Sequence, residues 1–444
     1  MRVLLINPAW DGVVSRKGSR FNRRWPPLCL LNCASLLERE GISCEIIDLR
    51  AEKSDPSEIS EKASVADRVF VTSSPIDRWQ CPNIELKDFY ETLEFLPKDN
   101  LHIMGAHGTM FPEKILIDTC ARSVIVGEPE MTVLDLCRTD DISGVCGIAY
   151  IRDGQVVRNP ERELMDLNEL PVPAYTLVDL NRYEYELLGD RFALLETSRG
   201  CSFSCVYCYQ GMYGWKRIRR KSVEKVTAEI DYMVRTADAR SLYFIDLEFT
   251  FDRNFVHRIC DHIAREGHKI SWCCQTRADM VDADLLNKMK KAGCRLVHYG
   301  VETGSEKVMK TIRKNITLSA IEDGISLTMK AGIETACFFM FGFPGETNDD
   351  MEATVKFALK LNPTYASFHI ATPYSGTELY NMTGSDEAFP EAYTAGHSLD
   401  DLKGAVRKAL RRFYIRPAYI LSHVFRGTPA LWKKQLKLFM EFKR

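Results

Sequence analysis

The sequence predicts two consecutive α/β domains with parallel sheets, joined by a proline-bearing linker and followed by a short helical tail. Short apolar runs alternate with amphipathic stretches twice over, and proline spacing near residue 170 forbids a helix between the two series. A length of 444 residues suits two large domains with an appendage. Apolar residues make up 45% and charged residues 27%, with 26 glycines and 18 prolines, which excludes disordered, collagen-like and low-complexity classes. The net charge of -2 supplies no global field toward nucleic acid or anionic lipid, so no nucleic-acid partner is expected.

In the first domain, residues 1–145, five strands are predicted: VLLIN at 3–7, CEIID at 44–48, RVFVT at 68–72, LHIMG at 101–105 and SVIVG at 123–127. With helices between them they read as an open, Rossmann-like parallel sheet, whose ligands sit at the carboxyl ends of the strands. The segment 146–190 starts with a hairpin around Asp153-Gly154 and continues through Leu170-Pro171-Val172-Pro173 as a linker lying on the surface. Between 191 and 385 the alternation resumes with FALLET, LYFIDLEF, ISWCCQT, RLVHYGVE, TACFFMFGF and YASFHIATP. Six βα units suggest a second parallel sheet curved into a partial barrel. From 386 to 444 the pattern is helical and basic.

No apolar stretch approaches the ~20 residues of a spanning helix, and MRVLLINPAW turns polar too soon for a signal peptide, so a cytoplasmic location is expected. The 15 cysteines are an odd number in a long chain, which argues for reduced thiols. Three of them, Cys201, Cys205 and Cys208, form a CxxxCxxC set on the loop after the first strand of the second domain. Three thiolates can hold three irons of a [4Fe-4S] cube and leave the fourth open to a substrate, which points to anaerobic chemistry. A zinc site, the competing reading, calls for four ligands and typically CxxC pairs.

With Tyr207 before its last cysteine, the set resembles the signature of the radical SAM superfamily. The resemblance implies a partial (β/α)6 barrel in which S-adenosylmethionine chelates the open iron, Cys201, Cys205 and Cys208 ligate the cluster, and Tyr207 lies against the adenine. Asp246 and Glu248 occupy the place of the family's glycine- and acid-containing motif, although the sequence there is not GGE. Arg277 would face the SAM carboxylate or ribose, and Glu302, in Gly300-Val301-Glu302-Thr303-Gly304-Ser305, the nucleoside. Phe341 and Gly342 would line the adenine side.

The first domain then resembles the cobalamin-binding domain of one radical SAM subfamily. The implied cobalamin loops are Pro8-Ala9-Trp10, Thr72-Ser73-Ser74, Gly105-Ala106-His107-Gly108-Thr109 and Gly127-Glu128. His102 is near a DxHxxG motif, but it falls inside a strand, and Asn100 supplies no carboxylate to orient it. Cobalamin without a histidine lower ligand is therefore expected, an arrangement that suits methylcobalamin as a radical methyl donor.

The implied function is a cobalamin-dependent radical SAM C-methyltransferase. A deoxyadenosyl radical would activate an unactivated carbon and methylcobalamin would deliver the methyl group, with flavodoxin or ferredoxin as electron donor. The substrate is open between a peptide or protein, such as a glutamine of methyl-coenzyme M reductase, and a small molecule. A rearrangement or cyclisation enzyme and a non-catalytic cluster or cobalamin sensor are the alternatives. Basic clusters at Arg16, Lys17, Arg20, Arg23 and Arg24, and at Lys216, Arg217, Arg219, Arg220 and Lys221, suit anionic groups as well as solvated loops.

Overall fold

The computed structural model describes residues 1–9, 24–74, 86–213, 217–384, 387–388 and 390–426. Trp10, Pro75, the basic residues 16–23, Lys216 and the final Lys- and Phe-rich segment lie outside the described residues.

The first sheet contains β1 (Arg2–Asn7), β2 (Ser43–Asp48), β3 (Arg68–Thr72), β4 (Leu101–Met104) and β5 (Ser123–Ile125), all parallel in the order 2-1-3-4-5. This is a doubly wound order with its switch point between β1 and β3. The hairpin of β6 (Ile148–Arg152) and β7 (Gln155–Arg158) extends the sheet antiparallel from β5. At its tip Asp153 and Gly154 both take positive φ, the backbone that a two-residue hairpin turn demands.

Helix Leu28–Arg39 is buried from Leu28 to Leu37, because LCLLNCASLL is apolar almost all round and therefore needs a covering on every side. The segment 166–190 provides part of that covering. It contains three 3-10 turns and a short ribbon of β8 (Glu184–Tyr185) and β9 (Gly189–Asp190). The expectation of a surface linker is therefore corrected. Proline spacing constrains the backbone and says nothing of burial, and Tyr175, Tyr183 and Tyr185 are at most 2% exposed. The Tyr175 hydroxyl donates to the Leu194 carbonyl at 2.6 Å and accepts from the Leu194 N–H at 2.8 Å, and Tyr183 donates to Asp48 at 2.8 Å.

The second sheet is six-stranded and parallel, in the order β10 (Phe192–Leu195), β13 (Ser241–Phe244), β14 (Ser271–Thr276), β15 (Cys294–Glu302), β16 (Glu334–Phe341) and β17 (Tyr365–Ile370). Strands β11 (Ser198–Arg199) and β12 (Arg219–Arg220) form a separate antiparallel pair at the base of the cysteine loop. Trp25, from the first domain, packs within 5.6–6.2 Å of the rings of Phe192, Tyr185 and Tyr243. Along the tail, helix Leu399–Tyr414 lies on β17, where the Tyr414 hydroxyl donates to the carbonyl and accepts from the N–H of Ala366. None of the described helices is long and apolar enough to cross a membrane.

Candidate active site

The chain leaves β10 through Glu196 and Thr197, pairs briefly as β11, turns at Gly200 with φ of +92°, and enters the cysteine loop. That loop is tied to the barrel on two sides, by Val206 N–H to the Ile312 carbonyl at 3.1 Å and by Leu379 N–H to the Val206 carbonyl at 2.9 Å. Cys201, Cys205 and Cys208 are half-buried. Burial pushes the Cys201 thiol up to about 11 and raises Cys205, so iron must displace protons when it binds. Among the described residues, the only His, Cys, Asp or Glu trio whose ligand atoms all lie within 4.8 Å of one another is Asp231, His262 and His268. The cysteine sulfurs are thus spread more widely than the about 3.8 Å to which a single tetrahedral zinc, with its 2.3 Å bonds, draws its ligands.

Around the loop the structure brings together most of the acids singled out in the sequence, and it separates their roles. Asp246 accepts from Thr197 N–H at 3.2 Å, from the Thr197 hydroxyl at 2.7 Å and from the Ser198 hydroxyl, so it holds the start of the cysteine loop. Glu248 accepts from Arg277 N–H at 2.9 Å, and burial pushes its carboxyl up to about 7. The Arg277 guanidinium is committed to Asp279 and to the carbonyls of Lys314 and Asn315, and it stacks 3.9 Å over the Phe203 ring. Arg277 therefore braces the 314–315 turn and lies against Phe203 of the cysteine loop.

Glu302 sits at the end of β15 with φ of +68°, a left-handed backbone unusual outside glycine and characteristic of strained functional positions. Tyr207 donates to its carboxylate at 3.0 Å, and Lys314 does so at 2.7 Å. Lys314 is buried, and although desolvation is the largest influence and would lower its pKa, Glu302, Cys205 and Glu248 together raise it, so the ammonium is favoured. Sequence reasoning missed Lys314, because nothing in a twelve-residue separation shows that its chain folds back onto Glu302. Phe341 stacks on Phe368 at 5.9 Å, and Phe343, two residues on, approaches Tyr207 at 5.6 Å. Gly342, with φ of +94°, donates its N–H to Glu346 at 2.6 Å.

The first-domain loops are built from small polar groups and backbone. Gly105 takes φ of +109°, and a Cβ there would lie 2.8 Å from the Ser73 hydroxyl. The Thr72 hydroxyl donates to the Ser74 carbonyl at 2.6 Å, His107 Nδ1 meets the Ser73 hydroxyl at 3.2 Å, and Gly127 N–H donates to the Thr109 hydroxyl at 3.0 Å. Ala106 and Gly108 are buried in the helical turn between them. Pro8 and Ala9 follow β1, where the Asn7 Oδ1 is buried without a hydrogen-bond partner. The turn Ala106–Met110 packs against the 3-10 turn Tyr209–Tyr213 that follows the cysteines, so the two sets of loops adjoin. Glu128, expected with the cobalamin loops, turns its carboxylate to Arg199 at 2.6 Å and also pairs with Arg219. Neither arginine was expected to reach across the domains.

Two histidine arrangements are structural. His102 lies in β4, stacks on Phe70 at 5.0 Å and meets the Ser123 hydroxyl at 2.7 Å, and burial pushes its pKa down to about 3. In the Asp231 trio, Arg265 lies 2.9 Å from His262 Nδ1 and can only donate, so Nε2 carries the proton given to Asp231. That tautomer leaves no lone pair at Nε2 for a metal.

Residues 195–358 match the model of the radical SAM superfamily. An uncharacterised methyltransferase of Pyrococcus horikoshii is 29% identical over 98% of this chain and 97% of its own. The anaerobic magnesium-protoporphyrin IX monomethyl ester cyclase of Rubrivivax gelatinosus is 27% identical over 95% of this chain and 78% of its own. Among solved structures, OxsB, a cobalamin-dependent S-adenosylmethionine radical enzyme, superposes with a TM-score of 0.75 at 18% identity, covering 99% of this chain and 70% of that one. The methyltransferase TsrM from Kitasatospora setae, solved with cobalamin and a [4Fe-4S] cluster, gives 0.68 at 17% identity over 86% and 74%. The chain thus carries, over residues 195–358, a segment similar to the radical SAM superfamily. Its two-domain fold is the one OxsB and TsrM share.

Proposed function

We propose that the chain is a cobalamin-dependent radical SAM C-methyltransferase that methylates an unactivated carbon. The observation that carries this reading is the adjacency of the three-cysteine loop to the Gly105–Thr109 turn, which brings the two cofactor-type loops side by side. The similarity to the Pyrococcus methyltransferase over nearly the whole chain supports it. When bound, the cluster and SAM would supply hydrogen abstraction and cobalamin the methyl group.

The chain's own residues orient these groups. Cys201, Cys205 and Cys208 hold iron, while Tyr207, Glu302 and Lys314 form a buried donor and acceptor set for the nucleoside. Glu248 lies at the same strand ends, and the Gly342-Phe343 turn closes the far side. In the first domain, Pro8, Ala9, Thr72, Ser73, Ser74, Gly105, Ala106, His107, Gly108, Thr109 and Gly127 line the cobalamin side. The orphaned Asn7 oxygen and the open space beside the Gly127 Cα fit a ligand rich in amides. His102 is turned into the sheet, so cobalt lacks a histidine from that strand.

A peptide or protein substrate, with a glutamine of methyl-coenzyme M reductase as one candidate, remains part of the proposal. The cyclase of Rubrivivax gelatinosus supports a second reading, radical cyclisation without methyl transfer, because the similarity spans 95% of the chain. Methyl-deuterated SAM separates the two. A methyltransferase forms deoxyadenosine and S-adenosylhomocysteine in about equal amounts per product and places the label on carbon. Product formed with deoxyadenosine but without homocysteine or label would replace methylation by cyclisation.

A further inference from the structure

Arg199 stands two residues before Cys201, and its side chain is fully buried. Its three nitrogens reach three different carboxylates: Nε meets Glu196 at 2.9 Å, Nη1 meets Glu128 at 2.6 Å and Nη2 meets Glu130 at 2.7 Å. Glu196 belongs to the barrel, whereas Glu128 and Glu130 follow the Gly127 turn of the first domain. Arg219 pairs with the same Glu128 and also donates to the Met165 carbonyl at 2.8 Å.

The register makes this arrangement more than an ion pair. Arg199 and Arg219 face each other across β11 and β12, the ribbon that closes the base of the cysteine loop. Both ends of that loop are thus fastened to one carboxylate of the other domain. On the far side, Gly127 N–H is held by the Thr109 hydroxyl of the Gly105–Thr109 turn. Polar contacts joined through the Gly127-Glu128 backbone therefore link the cysteine loop to the loop proposed for cobalamin.

Burying this many charges is costly, and an apolar cluster of the same volume would stabilise the interface at least as well. What a planar fork offers over apolar packing is direction, since each nitrogen fixes one partner at a set angle. We infer that Arg199, with Glu128, is a positioning residue that sets the separation between the cluster and the cobalamin.

This inference rests on the function proposed above, and its test uses the reconstituted holoprotein. Cob(II)alamin and a reduced [4Fe-4S] cluster are both paramagnetic, and their dipolar interaction falls steeply with distance, so the relaxation of the cobalt signal reports the spacing. Arg199→Lys and Glu128→Gln are expected to keep wild-type iron and cobalamin contents but to lose or broaden the relaxation enhancement seen in the wild type. Unchanged relaxation in variants with full cofactor contents would overturn the inference, even if their melting temperatures fall. Hydrogen exchange of the cofactor-free protein gives a second measurement: Glu128→Gln should deprotect residues 126–131 and 198–220 together while leaving β14 and β15 unchanged. Deprotection of one segment alone, or of neither, would equally overturn it. A wild-type protein that binds no cobalamin defeats the proposed function instead, and the exchange experiment still decides whether the contact couples the two loops.

Discussion

The barrel and the first domain adjoin at their loop ends but are built from opposite materials. The barrel side uses thiols and buried charges in mutual contact: Glu302 with Lys314, Arg277 with Asp279, and Glu248 beside the Arg277 backbone. The first-domain side uses hydroxyls, glycine and backbone carbonyls, and the acids after its Gly127 turn, Glu128 and Glu130, face away toward the barrel. A zwitterionic nucleoside and a metal cluster call for charge that is already oriented, whereas a large neutral macrocycle with amide side chains calls for room and uncharged partners. On the proposed function, the chemistry of the ligands accounts for the contrast more than the fold does.

That contrast implies that each side can be disabled without the other. The largest effect is expected from replacing Cys201, Cys205 and Cys208 together by Ala. Bound iron and deoxyadenosine formation should vanish while cobalamin content stays at the wild-type level; tetrathiolate zinc with intact activity would refute the assignment. Next comes Lys314→Met, which strands the buried Glu302 carboxylate. Urea unfolding should show a loss of about 3–5 kcal/mol, with much of it recovered in Lys314→Met/Glu302→Gln.

Gly105→Ala tests the other side. Its positive φ and the 2.8 Å approach to Ser73 should cost about 1–3 kcal/mol and weaken cobalamin binding, leaving iron untouched. A smaller effect concerns Glu346, whose carboxyl burial pushes from 4.5 up to about 7. Its ionisation is easier in the unfolded chain, so the stability it contributes is present below 4.5 and is lost as pH rises to about 7. Glu346→Gln should flatten that fall in thermal melts taken across the range. Least of all, His102→Ala should leave the electron paramagnetic resonance of bound cob(II)alamin unchanged and free of nitrogen hyperfine splitting. An axial nitrogen signal lost in the variant would show that the histidine had been a ligand.

Both parallel sheets were legible in the sequence because alternating apolar and amphipathic runs report burial on two faces. The cysteine loop was legible because its spacing is local. Contacts that close over distance were not: Lys314 folds back to Glu302, Arg199 finds Glu128 across 71 positions, and Arg277 is consumed by a turn 37 residues away. An arginine at a strand end looks the same in sequence whether it faces a ligand or braces a loop. The linker misled for a related reason, since Pro171 and Pro173 exclude a helix but are silent about the tyrosines that follow them into the core.

The Tyr414 hydroxyl, which both donates to and accepts from the backbone of Ala366, occupies the place where a neighbouring strand would bond. Among the described residues the barrel does not close between β10 and β17, so β17 would otherwise present an unpaired margin able to recruit a strand from another molecule. One phenol and the helix that carries it thus act as a guard against self-association. Shortening the tail would therefore show itself as aggregation before any change in cofactor content.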